Sequence, residues 1–220
     1  MHRLLGLRPR GKVLRWWLQQ DPSRYVPWFA GRLARPNTRL SGDVTPGYAA
    51  LSTETLRRID DGFASRGITV KTIFTMRDPI ERAWSLLKMY RRKSKLDDSL
   101  PDAEAFLRIF APGGTGTTDP DYHVTLARLD EVFPPHRQFV TLYESLFTPA
   151  TITALSAFAG IPDRPEAGGA PVNAAGDRST LPEGLAEQVF PSFAKDYETV
   201  IARLPEAAEL WPHAHLLATR

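Results

Sequence analysis

The nine residues Ile68–Met76, ITVKTIFTM, constrain this chain more than any other stretch of it. They form its most β-branched and apolar run, and such a run reads as a strand buried on both faces. A helix signal follows at once. Asp78 is a good N-cap, Pro79 suits the first helical position, and Glu81 completes an Asp-x-x-Glu capping box, so a helix is predicted to run to Arg92. On that helix Ile80, Trp84 and Leu87 share a core-seeking face, while Glu81, Ser85, Lys88 and Arg92 share a polar one. A buried strand leading directly into a capped helix is the repeating unit of a parallel α/β sheet.

The same reading extends along the chain. Residues 11–30 look helical in part, and Tyr25, Trp28 and Phe29 are expected in a core. Thr38–Val44 is a short strand candidate, and Thr53–Ser65 a helix with Leu56, Ile59 and Phe63 on one face and Gly67 as its stop. Further helices are predicted at Asp102–Phe110, Tyr122–Val132, Pro149–Ala159 and about Leu181–Leu204, with a third strand at Gln138–Tyr143. The loop 111–121 has a PGGTGTTDP composition that argues for mobility, and Ile161–Gly176 reads as a Pro/Gly-rich linker. Strands alternating with helices predict one layered α/β domain over residues 1–220.

Composition narrows the function classes. With 220 residues the chain is long enough for a genuine core, and the absence of cysteine excludes a disulfide scaffold, a thiolate zinc site and a cysteine nucleophile. No run approaches the ~20 apolar residues of a membrane-spanning helix. The expected location is cytoplasmic. The net charge of +3 conceals a polarity: residues 1–110 hold 21 Lys and Arg against 11 Asp and Glu, and residues 111–220 hold 7 against 14. An anion-binding surface is therefore expected from the first half. Nucleic acid is not the expected anion, since no zinc-finger spacing, ribonucleoprotein signature or unbroken basic tract is present. The N-terminal stretch MHRLLGLRPRGKVLRWWLQQ, with five basic residues and no acid, reads as a surface helix, with a transit-like or membrane-surface helix as the alternative.

Ligands of open parallel sheets bind beyond the carboxyl ends of strands, where the N-termini of the following helices present N–H groups. Arg77 occupies that position, with Ser85 two turns on. A guanidinium fork and a hydroxyl together suit a phosphate. The alternative is Arg77 paired with a local carboxylate and Ser85 merely solvated. IFTMRDPIERAWS resembles the 3′-phosphate-binding motif of the sulfotransferase family, enzymes that use 3′-phosphoadenosine 5′-phosphosulfate. GDVTPGYAALS looks like that family's G-E-x-T-P-x-Y segment, and FVTLYESLFTPATITALSAFAGIP like its Y-E-x-L strand and helix, so the resemblance covers about residues 25–211. It implies a P-loop-like three-layer sandwich with a mainly parallel sheet. It also implies transfer of a sulfuryl group from that co-substrate to a hydroxyl or amine of a small-molecule or carbohydrate acceptor, without a metal. Arg77 and Ser85 would then bind the 3′-phosphate, with Arg178 closing over it from a basic loop.

The chain departs from the family's pattern at the other end of the co-substrate. The Gly/Lys/Thr-rich loop that holds the 5′-phosphosulfate is missing: Gly11-Lys12 lacks the Thr pair, and Gly113–Thr118 lacks the Lys. The expected domain is thus N-terminally incomplete, missing its first strand and phosphate loop. The expected alternatives are an inactive fragment or pseudoenzyme that binds adenosine 3′,5′-bisphosphate or a protein partner, and, on the basic half alone, a nucleic-acid-binding module. On the acceptor side the candidates are Asp43, to orient or deprotonate a hydroxyl, and His123, to titrate near neutrality. Thr45 and Tyr48 read as structural. Glu144 either caps the next helix or sits near the site.

Overall fold

A computed structural model describes residues 11–93, 99–116, 121–168 and 180–219. The chain forms two compact units, one of residues 1–46 and 54–70 and the other of residues 47–53 and 71–220.

In the first unit, helices α1 (Gly11–Gln20) and α2 (Tyr25–Leu33) are separated by a short 3₁₀ turn, Pro22–Arg24. Asp21 caps that turn, accepting from the Ser23 backbone at 3.0 Å and from its hydroxyl at 2.6 Å. Most of α3 (Thr53–Ala64) belongs here too. Phe29, Leu56 and Phe63 are buried, and Tyr25 stacks on Phe29 at 4.8 Å, so the expected aromatic core is present. Gly62 lets α3 approach α2: a Cβ there would lie 3.0 Å from Val26 Cγ2. Gly67 ends the segment in the left-handed region, φ 67°, as its sequence position predicts.

The second unit contains β1 (Thr72–Met76), α4 (Pro79–Arg92), α5 (Asp102–Phe110), α6 (Tyr122–Val132), β2 (Gln138–Leu142), a single turn α7 (Tyr143–Leu146), α8 (Pro149–Ala159), α9 (Leu185–Arg203) and a turn α10 (Ala207–Leu210). The strands pair in parallel, with Thr72 opposite Gln138 and Met76 opposite Leu142. Residues two apart share a face, so Phe74, Met76, Val140 and Leu142 turn toward the core, and Ile73, Phe139 and Thr75 turn away. The core itself is helical. Ile80 and Leu87 of α4, Phe106 of α5, Leu126 of α6 and Val189, Phe193, Tyr197 and Val200 of α9 are almost fully buried, together with Trp211. Burying each such aliphatic or aromatic side chain contributes roughly 1.5–3 kcal/mol. Helix α9, 19 residues long, is the axis on which α4, α5 and α6 pack.

This architecture corrects the expected fold class. Of the described residues 65% are helical and 5% strand, with a small open sheet of two strands, so this is not a P-loop-like three-layer α/β sandwich. Three local causes are visible. Thr38–Val44 forms no strand, leaving Leu40 and Val44 exposed, because Ser41, Gly42 and Asp43 give it no apolar alternation to bury. The run Ile68–Met76 is laddered only from Thr72 onward. Its Ile73 is 54% exposed, so one face of the strand lacks the covering layer that a doubly buried strand requires. The helices, by contrast, fall close to their expected bounds.

The loop after α5 is less free than its composition implies. Gly114, Thr115 and Gly116 donate to the carbonyls of Ala111, Arg108 and Ile109 at 2.8, 3.0 and 3.0 Å, folding it back on the helix end. Residues 117–120 of that loop lie outside the described residues.

Candidate functional site

The junction between β1 and α4 gathers a connected polar network. Asp78 is fully buried at the start of α4. Its Oδ1 accepts from the backbone N–H groups of Ile80 and Glu81, both at 3.0 Å, and from the Tyr197 hydroxyl at 2.8 Å. Its Oδ2 accepts from the His213 backbone at 3.2 Å. The expected cap and Pro79 start are therefore present, but the reciprocal half of the capping box is not. The Asp78 N–H points to Glu144 Oε1, 3.5 Å away, and Glu81 turns to other partners. Glu144 also accepts from the Trp211 indole at 3.2 Å, which places it at this site rather than at a helix cap.

Arg77 is held by its backbone. The Tyr122 hydroxyl accepts from the Arg77 N–H at 3.2 Å and donates to the Arg77 carbonyl at 3.0 Å, tying the strand end to the first residue of α6. The Arg77 guanidinium donates to Glu81 at 3.2 Å, and His213 Nε2 lies 3.4 Å from the other Glu81 oxygen. The hydrogen bond from His213, helped by the Arg77 charge, holds the Glu81 carboxyl below its usual range against the opposing effect of burial. Burial is the largest influence on His213 and pulls it down. The Glu81 hydrogen bond and the negative charges of Asp78, Glu81 and Glu187 together outweigh it and push the imidazole up. Burial raises the hydroxyls of Tyr122 and Tyr197, and the Asp78 charge raises both further.

These contacts engage the groups that the expected phosphate site would use. Pro79 has no N–H, and the two N–H groups that follow it are occupied by the protein's own carboxylate. Arg77 pairs with a local acid, and Ser85 stands exposed on α4. Asp43 is exposed in an irregular segment of the first unit, and Arg178 lies outside the described residues. Thr45 and Tyr48 are half-buried.

His123 is placed differently. It sits one residue beyond Tyr122 on the first turn of α6, with its side chain 32% exposed, against Asp196 of α9, whose side chain is 3% exposed. Asp196 Oδ1 accepts from the His123 backbone N–H at 2.9 Å and lies 2.7 Å from Nδ1. An ionised carboxylate only accepts, so Nδ1 carries a proton, and in the neutral imidazole it is Nε2 that has the lone pair. Arg82 places its guanidinium 4.6 Å from the centre of the neighbouring Tyr122 ring, adding positive charge at this end of α6.

No family model, curated protein or solved structure matches this chain. The likeness to sulfotransferases therefore stops at short segments. The extended parallel sheet of that family is not built, and among the described residues no phosphosulfate loop follows a strand. The expected sulfuryl transfer, the adenosine-bisphosphate-binding pseudoenzyme and the phosphosulfate co-substrate all lose their support with it. Among the described residues no three His, Asp or Glu side chains group as metal ligands would.

Asp196 and His213 escaped the sequence reading. Asp196 did leave a signal. On α9 it falls among Val189, Phe193, Tyr197 and Val200, at the 3–4 residue spacing of the buried face, and a lone acid on such a face calls for a partner.

Proposed function

We propose that His123 is the general base of an enzymatic site, taking a proton from a hydroxyl group of a small-molecule or carbohydrate substrate, or from water, onto Nε2. The observation that supports this reading is the 2.7 Å contact of Nδ1 with the buried Asp196 carboxylate. Such a contact fixes the imidazole ring and its tautomer, and it stabilises the imidazolium formed when Nε2 accepts a proton. The part-exposed ring leaves room for a substrate oxygen, which, as its proton passes to Nε2, attacks an electrophilic carbon such as an ester's acyl carbon, whose bond to the leaving alkoxide or phenolate then breaks. Arg82, stacked on Tyr122, favours substrates that carry or develop negative charge. Asp196 is a positioning residue, since it acts through His123.

The test is hydrolysis of p-nitrophenyl acetate across pH by the full chain and by His123→Gln and Asp196→Asn. A general base contributes about 10²–10⁴-fold, so His123→Gln should lower the protein-dependent rate at least 100-fold, and Asp196→Asn should shift the pH profile as well as the rate. A wild-type rate no greater than that of free imidazole, or an unchanged rate in His123→Gln, would overturn the assignment. The backbone bond from His123 to Asp196 favours a second reading, in which the pair merely satisfies an orphan N–H at the start of α6 and clamps it to α9. In that case Asp196→Asn lowers the melting temperature while His123→Gln leaves both stability and turnover unaltered.

A further inference from the structure

The first unit carries an unpaired apolar face on a strongly basic segment. On α1 Val13, Trp16 and Trp17 fall at three- and four-residue spacing, hence on one side of the helix, and they are 55%, 59% and 38% exposed. Leu14 and Leu18, further round the helix, are half-buried. Single exposed apolar residues are ordinary, whereas three adjoining ones, two of them Trp, mark an interaction face.

The charge around this face decides what fits it. Residues 1–20 contain five Lys and Arg and no acid, and residues 1–35 contain eight against Asp21 alone. Asp21 is already engaged by Arg24 at 3.2 Å, and the Arg24 guanidinium lies over the Trp17 ring at 4.9 Å. A second copy of so basic a face would be repelled, and an acid-free segment recruits a dense anionic surface. Trp rings lodge at the boundary between headgroups and acyl chains, and an aliphatic Val beside them finds there the apolar medium that a nucleic acid lacks.

We infer that α1 is a docking face for an anionic phospholipid membrane. The helix lies in the plane of the interface, with Val13, Trp16 and Trp17 entering the headgroup–acyl boundary, and the positive charge of residues 1–35 favours anionic headgroups. Attachment by one short helix is reversible. It does not depend on His123 and stands whether or not that residue is a base.

Co-sedimentation of the full chain with vesicles tests the inference. One set is pure phosphatidylcholine, and the other contains one quarter phosphatidylglycerol. The chain should partition onto the anionic vesicles, much less onto neutral ones, and less as salt is raised. Trp16→Ala should lower the partition coefficient about tenfold, the value of the ring area it would bury. Val13→Gln, which keeps both Trp rings, should lower it severalfold. Circular dichroism should be the same for all three proteins, because these side chains are exposed. No binding to anionic vesicles would overturn the inference. So would binding by both Trp16→Ala and Val13→Gln equal to that of the parent, which would reduce the effect to polycation adhesion. Sedimentation without vesicles that is lost in Trp16→Ala would show a second copy as the occupant, and tighter binding to single-stranded DNA than to the vesicles would show a nucleic acid.

Discussion

Changing Tyr197 to Phe removes a single oxygen from the centre of the second unit and leaves the ring in place. That ring packs on Trp211 at 5.5 Å and on Phe190 at 5.2 Å, contacts the substitution retains. What is lost is the 2.8 Å hydrogen bond to Asp78 Oδ1, a neutral donor on a fully buried carboxylate. Hydrogen bonds to charged groups contribute about 1.5–3 kcal/mol. Asp78 keeps its bonds from Ile80, Glu81 and His213, so the lower part of that range applies, about 1.5–2 kcal/mol. For a chain of this size the melting temperature should fall by about 3–8 °C. Urea titration, followed by circular dichroism and by tryptophan fluorescence, measures the loss directly, and the slope should stay unchanged because no extra surface is exposed. A loss below about 0.5 kcal/mol would show that Asp78 does not depend on this donor. A loss above about 4 kcal/mol would show that the ring had repacked, and either result refutes the network as described.

Two further outcomes follow from the same unit. Leu87→Ala, at a fully buried position on α4, should cost about 2–5 kcal/mol of stability in urea, whereas a change at exposed Ser85 should stay within about 0.5 kcal/mol. The Glu81–His213 pair should make stability depend on pH. His213 is raised above 6.5, so its contribution is full below that value and is lost as pH rises through the folded value. Glu81 is lowered beneath 4.5, so its contribution is full above that value and is lost as pH falls through the folded one. The difference in urea midpoint between the parent and His213→Gln should therefore be largest between pH 4.5 and 6.5 and shrink on either side.

What could be read from the residues was what depends on near neighbours. Asp78 and Pro79 announce α4 because a cap and a missing N–H act within one turn, and Gly67 ends its segment for an equally local reason. Sheet formation is different in kind. A ladder needs a partner far along the chain, and Thr38–Val44, with no apolar alternation to bury, pairs with no strand among the described residues. The motif likeness carried the opposite error, since short matching segments at Arg77 and Glu144 implied a sheet that the intervening residues do not build. The site was legible only in its exposed half. His123 stood out as a titratable group beside a loop, but the acid that orients it lies 73 residues away, and His213 meets Glu81 across 132. Nothing in Asp78 itself discloses that Tyr197 and His213 will complete it.

Those separations bear on how the chain is made. Asp78 receives two of its hydrogen bonds from residues two and three positions later, but the other two come from 119 and 135 positions later. The cap of α4 is local in two of its donors, while the other two can reach the carboxylate only after more than a hundred further residues have been made. A chain made only as far as residue 196 would lack two of the four donors to Asp78 and the end of α9, so its core could not close around that acid.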